Sequence, residues 1–411
     1  MFRGYTFVAE NFMVLARMRD LWEKEGLTNA PRSFYNRDRK GAIVMHMFKR
    51  KIENFRQKAA VIVAAAVFSL SLGGASTAEA GWGSIIGAGI QMGVQYAAVD
   101  NAMKYYDGEG RYEFFEMMKE KYGVNEDEEL NERLDIIMAN LSAAIAQVDP
   151  SIQQKPYNYF INTDESFNAF CSLGHNISVN TGMFNLVAND AEIAVVLGHE
   201  MGHGQKEHVR KSLKGTLNAS ILGSIVAEAT GVQALGNILI NNISAVHVTK
   251  PHEWEADNLA FEYIIQSDYN PGACAAIWQR VMDQYGSRSQ SFAGDIFNPS
   301  DHPSHKERRD NYAKKLSEYS GGKVKIEVKD DVATVRVNGH DFLTPAASDT
   351  MSGNERAYFV AGAIAKAYHD GTAGEAFASD DTLYFGGQAV ITPVGLDPSA
   401  EELAEILNRI Q

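Results

Sequence analysis

Two short stretches of this 411-residue sequence hold side chains whose types and spacing could do chemistry: His199-Glu200-Met201-Gly202-His203 and, further along, Glu253-Trp254-Glu255-Ala256-Asp257. On a helix, positions i and i+4 lie one turn apart on the same face, so the imidazoles of His199 and His203 can share one metal ion. Glu200 leaves the same turn towards the open coordination position, where it can take a proton from water without being a ligand. Glu253 and Asp257 also share a face, whereas Glu255 points about 200° away and reads as a solvated residue. Glu253 can complete a His, His, Glu set, with Asp257 placed to accept the outer ring N–H of a ligand histidine. His208 and His252 read as surface or supporting histidines rather than ligands. An accidental HExxH turns up in about one or two of every hundred chains of this length, and a third ligand in register makes accident a poor explanation. Three protein ligands, an open position and a carboxylate base are the equipment for hydrolysis with one Zn2+ per chain.

The elements that must position these residues are legible around them. Leu134, Ile137, Leu141, Ile145 and Val148 repeat at the 3-and-4 spacing of a helix over 131–148 that buries one face, and Pro150 ends it. Tyr157–Asn162 and Phe170–Val179 read as strands. Asn189 and Asp190 are N-caps for a helix over 191–206, apolar almost all round at Ile193–Leu197 and so expected to run through the core. Glycines 198, 202 and 204 each cost such a helix about 1 kcal/mol, a cost that close approach of a neighbouring element would offset. Residues 216–248 read as short packed helices. Pro251 suits the first turn of a second key helix running to about Gln266, and Asn270-Pro271 opens a third over 272–285. Gly286–Asp301 reads as a polar loop. From Gly321 the texture changes to alternating strands (Val324, Ile326, Val328; Ala333, Val335, Val337) with turns at Asp330-Asp331 and Asn338-Gly339. A helix over 355–369, a strand pair around 383–392 and a helix over 400–410 follow. No internal repeat is evident.

The whole chain carries a net charge of -14, unevenly spread. Residues 1–80 hold 13 Lys/Arg against 7 Asp/Glu; the remainder holds 25 against 45, a net -20 that repels nucleic-acid phosphates and argues against nucleic-acid binding. A basic cluster (Lys49, Arg50, Lys51, Arg56, Lys58), the apolar run Ala59–Leu72 and Ala78-Glu79-Ala80 predict a signal peptide cut before Gly81, with Met45 or Met47 as a conventional start. Residues 1–80 are thus read as a misassigned start plus signal peptide, and 81–110 as a Gly-rich N-terminal segment. An uncleaved membrane anchor is the alternative for Ala59–Ala78. Two cysteines, Cys171 and Cys274, exclude a disulfide framework; whether they pair is left open.

With both motifs in order, the sequence resembles the HtpX/CAAX-prenyl-protease (Ste-type, Oma-like) family of gluzincin metallopeptidases. Three further segments carry the resemblance: Asn168-Ala169-Phe170 with Gly174, Ile177, Val179 and Gly182, similar to the family's substrate-binding edge strand; Asn270-Pro271-Gly272-Ala273; and His302-Pro303 with Arg308, similar to its HPxxxxR element. The resemblance implies His199, His203 and Glu253 as zinc ligands, Glu200 as general base, and Asp257 behind a ligand. It implies Asn168, Ala169, Phe170 and Gly174 on the substrate side, and His302 and Arg308 lining the site to stabilise charge on the reacting carbonyl or orient a ligand. The implied fold is α+β: a mostly helical, zincin-like metallopeptidase domain over 111–318 with a small sheet and an active-site edge strand, then a small α+β accessory domain over 321–411. Leu173-Gly174-His175 replaces the family's usual Pro-Gly-Gly turn, which puts substrate access in doubt. The repeated membrane spans of some branches are missing, pointing to exported members associated with envelope protein quality control. The expectation is a zinc endopeptidase acting on unfolded or damaged polypeptides in a bacterial periplasm or cell envelope, with 321–411 available to an envelope partner. A metal-stabilised chaperone or binding protein is the rival; the intact Glu200 argues against it.

Overall fold

Helix formation follows the apolar spacing closely in the computed structural model, which describes residues 97–216, 232–241, 248–286 and 303–411. The predicted signal peptide, the Gly-rich segment up to residue 96, most of the 286–301 loop and His302 lie outside the described residues. α1 (Glu128–Val148) starts one turn earlier than its apolar stripe, because Asp127 accepts the N–H of Leu130 and caps it. It buries Leu134, Ile137, Leu141 and Ile145.

The first sheet has β1 (Asn158–Asn162), β2 (Ala169–Ser172) and β3 (Asn176–Asn180) in the order β1-β3-β2, with β1 parallel and β2 antiparallel to β3. The predicted strand Phe170–Val179 is therefore two strands of a hairpin. Gly174 (φ 77°) and His175 (φ 56°) take left-handed backbone at the turn, which a continuous strand cannot contain. Asp107 accepts the Gly174 N–H at 3.0 Å and Lys155 Nζ at 2.7 Å, and the His175 ring stacks on Tyr157 at 4.4 Å.

α2 (Asp190–Gln205) runs through the core, buried from Ala191 to Gly204. Asn189 caps it by accepting the Ala191 N–H. α3 (His208–Thr216) follows after a break, and then α4 (Lys250–Ile265), with Pro251 in its first turn. α2 and α4 pack closely because Gly202 has no side chain: a Cβ there would lie 3.4 Å from the Ala256 backbone. α5 (Ala273–Tyr285) and α6 (His305–Tyr319) complete this layer.

The C-terminal part is built twice. β4 (Val324–Lys329), β5 (Val332–Val337) and β6 (His340–Leu343) form an antiparallel meander followed by α7 (Gly353–His369). β7 (Phe377–Ser379), β8 (Thr382–Phe385) and β9 (Gln388–Ile391) form another, followed by α8 (Ala400–Ile410). Both meanders turn first at a left-handed Asp-Asp pair, Asp330-Asp331 and Asp380-Asp381. Both shift register at Val335/Arg336 and Leu383/Tyr384, and both pair threonine hydroxyls, Thr334 with Thr344 at 2.7 Å and Thr382 with Thr392 at 2.8 Å. Each then meets a proline and a serine N-cap, Ser352 or Ser399. An internal repeat is thus present, contrary to the sequence reading. Residues 334–345 and 382–393 share only their two threonines, one glycine and the proline, because apolar positions tolerate exchange of like for like.

All described residues belong to one compact unit, Ser76–Gln411. α7 lies against the Asn270–Gly272 turn so closely that a Cβ on Gly362 would meet Gly272 N at 2.3 Å. Nearby, Arg280 of α5 is buried between Glu192 of α2 and Glu355 of α7. Among the described residues no helix is long and apolar enough to cross a membrane.

Candidate metal centre

His199 and His203 stand one turn apart on α2, and Glu253 comes from the first turn of α4. The two Nε2 atoms are 3.0 Å apart. Glu253 carboxylate oxygens lie 3.6 Å from His199 Nε2 and 3.3 Å from His203 Nε2. Zinc bonds of about 2.0–2.1 Å in tetrahedral directions separate neighbouring donors by about 3.3 Å, so this set fits the ion. Among the described residues it is the one group of His, Cys, Asp or Glu side chains that could together hold a metal.

Glu200 is buried beside the set and accepts the Cys171 backbone N–H of β2 at 2.9 Å. Burial pushes its carboxyl above the ordinary range, against the pull of His199, His203 and that N–H. The strand is oriented by the ladder. Asn180 N–H donates to Asn168 O, so alternation turns the backbone groups of Ala169 and Cys171 away from β3. One of these groups holds the carboxylate; Ala169 N–H is met by Asn168 Oδ1 at 2.9 Å. The cleft in front is lined by Asn168, Ala169, Val195, Trp278, His305 and Tyr312 together with the metal set.

Each histidine is supported differently. His199 Nδ1 lies 3.0 Å from Asp257 Oδ1, and Asp257 also accepts from Arg308 Nε at 2.8 Å and Tyr312 OH at 3.0 Å. Burial alone would raise Asp257, but Arg308 and His199 hold it below the usual carboxylate range. His203 Nδ1 instead faces His208 Nδ1 at 2.9 Å, and His208 Nε2 faces Glu255 Oε2 at 3.1 Å. Burial, His203 and His252 push His208 down to about 2.

Comparison with known proteins agrees with this geometry. Residues 129–315 match the model of peptidase family M48. These residues form an M48 peptidase domain. A putative beta-barrel assembly-enhancing protease of Vibrio cholerae is 24% identical over 198 residues, 46% of this chain and 39% of that protein. Mitochondrial metalloendopeptidase OMA1 of Saccharomyces cerevisiae is 28% identical over 152 residues, 36% of this chain and 43% of the relative. Metalloprotease LoiP of Escherichia coli is 27% identical over 177 residues, 41% and 66% respectively. The match spans well under half of the beta-barrel assembly-enhancing relatives, and the repeated C-terminal units lie beyond the M48 match.

Within the M48 domain the predicted site residues divide. His199, Glu200, His203, Glu253 and Asp257 come together, and Asn168 and Ala169 line the cleft. Phe170 and Gly174 do not line it: Phe170 points to the opposite face of the sheet and packs on Tyr122 at 5.2 Å, and Gly174 sits at the hairpin tip. Arg308 borders the cleft, with its guanidinium bonded to Asp257, 2.9 Å from His199 Nδ1 and 3.7 Å over the Trp278 ring. Glu255, read as merely solvated, is a hydrogen-bond partner of buried His208. His305 lines the cleft, stacked 5.5 Å from Trp278, with no motif in the sequence to mark it. Cys171 and Cys274 are both free and buried.

Proposed function

We propose that this chain is a zinc-dependent endopeptidase that hydrolyses peptide bonds of unfolded or damaged bacterial envelope proteins. The convergence of His199, His203 and Glu253 beside the buried carboxylate of Glu200 carries this reading. The zinc held by those three residues would supply a Lewis acid for the scissile carbonyl and a lowered pKa for water. Glu200 takes the proton of the attacking water and returns it to the leaving nitrogen. Asp257, fixed by Arg308 and Tyr312, keeps His199 in one tautomer and orientation. An extended substrate pairs with the outward backbone of Ala169, displacing Asn168 Oδ1 from the Ala169 N–H, while the Cys171 N–H stays on Glu200. Main-chain pairing of this kind reads little sequence, which suits unfolded chains.

Cleavage of reduced, unfolded casein by the protein should stop on chelation and return with stoichiometric zinc. Casein bound tightly but left intact at one zinc per chain would favour the metal-stabilised binding protein instead. The envelope setting rests on the basic cluster, apolar run and Ala78-Glu79-Ala80, and on bacterial relatives named for enhancing beta-barrel assembly. N-terminal sequencing of protein recovered from the cell envelope is expected to read from Gly81. An intact N-terminus retained in the membrane would mean an anchor.

A further inference from the structure

His203 and His208 are five positions apart, and on an unbroken helix their side chains would diverge by about 140°. The structure breaks the helix between them. α2 ends at Gln205, Lys206 N–H closes on Gly202 O, and Glu207 takes left-handed backbone at φ 51°. α3 then starts at His208 and brings that ring, fully buried, against the outer edge of His203. His252 of α4 stacks on the other side of it, 4.2 Å away and 14° from parallel. The ring is therefore clamped in one orientation between a ligand histidine and a second imidazole.

Hydrogen accounting then leaves one assignment. Two ring nitrogens 2.9 Å apart need one proton between them. A histidine that presents Nε2 to a metal is neutral and carries its proton on Nδ1, so His203 donates and His208 Nδ1 accepts. With its Nδ1 accepting, His208 must carry its own proton on Nε2, the atom that faces Glu255 Oε2 at 3.1 Å. The half-exposed Glu255 carboxylate ends the chain at the surface.

We propose that His208 is a positioning residue: a ring that accepts the Nδ1–H of His203, donates its own Nε2–H to Glu255, and holds His203 with Nε2 turned to the metal. The inference rests on the zinc reading above. The two ligand histidines are thus held by unlike means, His199 by a buried carboxylate directly and His203 through an imidazole relay.

Zinc affinity of the full chain, measured by competition with a chelating dye, tests this without reference to catalysis. His208→Phe keeps the ring and its stacking but removes the acceptor, and should bind zinc about 10–100-fold more weakly than wild type. His208→Asn places Oδ1 where Nδ1 stood and should recover most of that loss, while the zinc-free melting temperatures of the two variants stay alike. Glu255→Ala, at a half-exposed position, should weaken zinc several-fold with an unchanged zinc-free melting curve, and it keeps the test intact should His208→Phe fail to fold. Wild-type affinity in His208→Phe, equal losses in the Phe and Asn variants, or an unaltered Glu255→Ala would each overturn the relay while leaving the zinc reading standing. A wild-type protein that binds no zinc would remove both.

Discussion

Glu200→Gln is expected to retain one zinc per chain and to cleave unfolded protein about 10²–10⁴-fold more slowly than wild type, the usual weight of a positioned general base. Glutamine has the same shape, and its side-chain oxygen can still accept the Cys171 N–H that holds Glu200 at 2.9 Å. It bears no negative charge and cannot take a proton from water. Glu200 is outside the donor set of His199, His203 and Glu253, so the metal content should not change. Metal analysis and casein cleavage on the same preparation separate the two effects. Cleavage near the wild-type rate would show that another group is the base. Loss of zinc would show that Glu200 holds the site together instead of acting in it.

The largest effect on stability is expected at Arg280. Its guanidinium meets Glu192 at 3.1–3.3 Å and also pairs with Glu355, and all three side chains are buried. The trio ties α2, which bears HExxH, through α5 to α7 of the first repeated unit. Arg280→Met preserves bulk but leaves two buried carboxylates without their cation, a change that costs about 3–5 kcal/mol. Thermal melting should register a fall of roughly 10 °C. A melting curve like that of wild type would mean that the carboxylates are relieved by another route.

One cation cannot neutralise two buried carboxylates. Burial, reinforced by Glu192, pushes Glu355 up to about 8. A carboxyl group whose pKa rises on folding binds a proton in the folded state that the unfolded chain has already released. Its contribution is therefore complete below the ordinary carboxylate pKa and is lost as pH climbs towards 8. Wild-type melting temperature should decline between pH 5 and 8, and Glu355→Gln, permanently neutral, should decline less. Parallel slopes for the two proteins would place the shared proton elsewhere.

The candidate constellation is legible because most of it is local. His199, Glu200 and His203 lie on one helix and Glu253 and Asp257 on another, and the 3.6-residue period alone decides which of them share a face. Helix ends were legible for a similar reason: Asn189 and Pro251 act within three residues of themselves. The Asp330-Asp331 and Asn338-Gly339 turns were equally local. The residues of Phe170–Val179 read as one strand, although the resemblance puts a turn at Leu173-Gly174-His175, where two left-handed residues reverse the chain.

What packing decided is the part that joins elements distant in sequence. Only the break at Glu207 sets His208 against His203, and only the approach of α4 supplies Glu255 and His252 to the same ring. Arg308 could be placed near the site by its motif, yet its partner is chosen by α6 crossing over Asp257 and Trp278. The Glu192, Arg280 and Glu355 trio joins three helices with no spacing rule between them. The repeated units share their register shift and threonine pairs but few identities, since sheet geometry fixes a backbone register while leaving the apolar side chains interchangeable. Sequence alone determined which candidate side chains share a helix face, because one helical turn suffices to align them. Tertiary structure decided how each ligand is held, because a hydrogen bond between elements exists only where packing brings two side chains within about 3 Å.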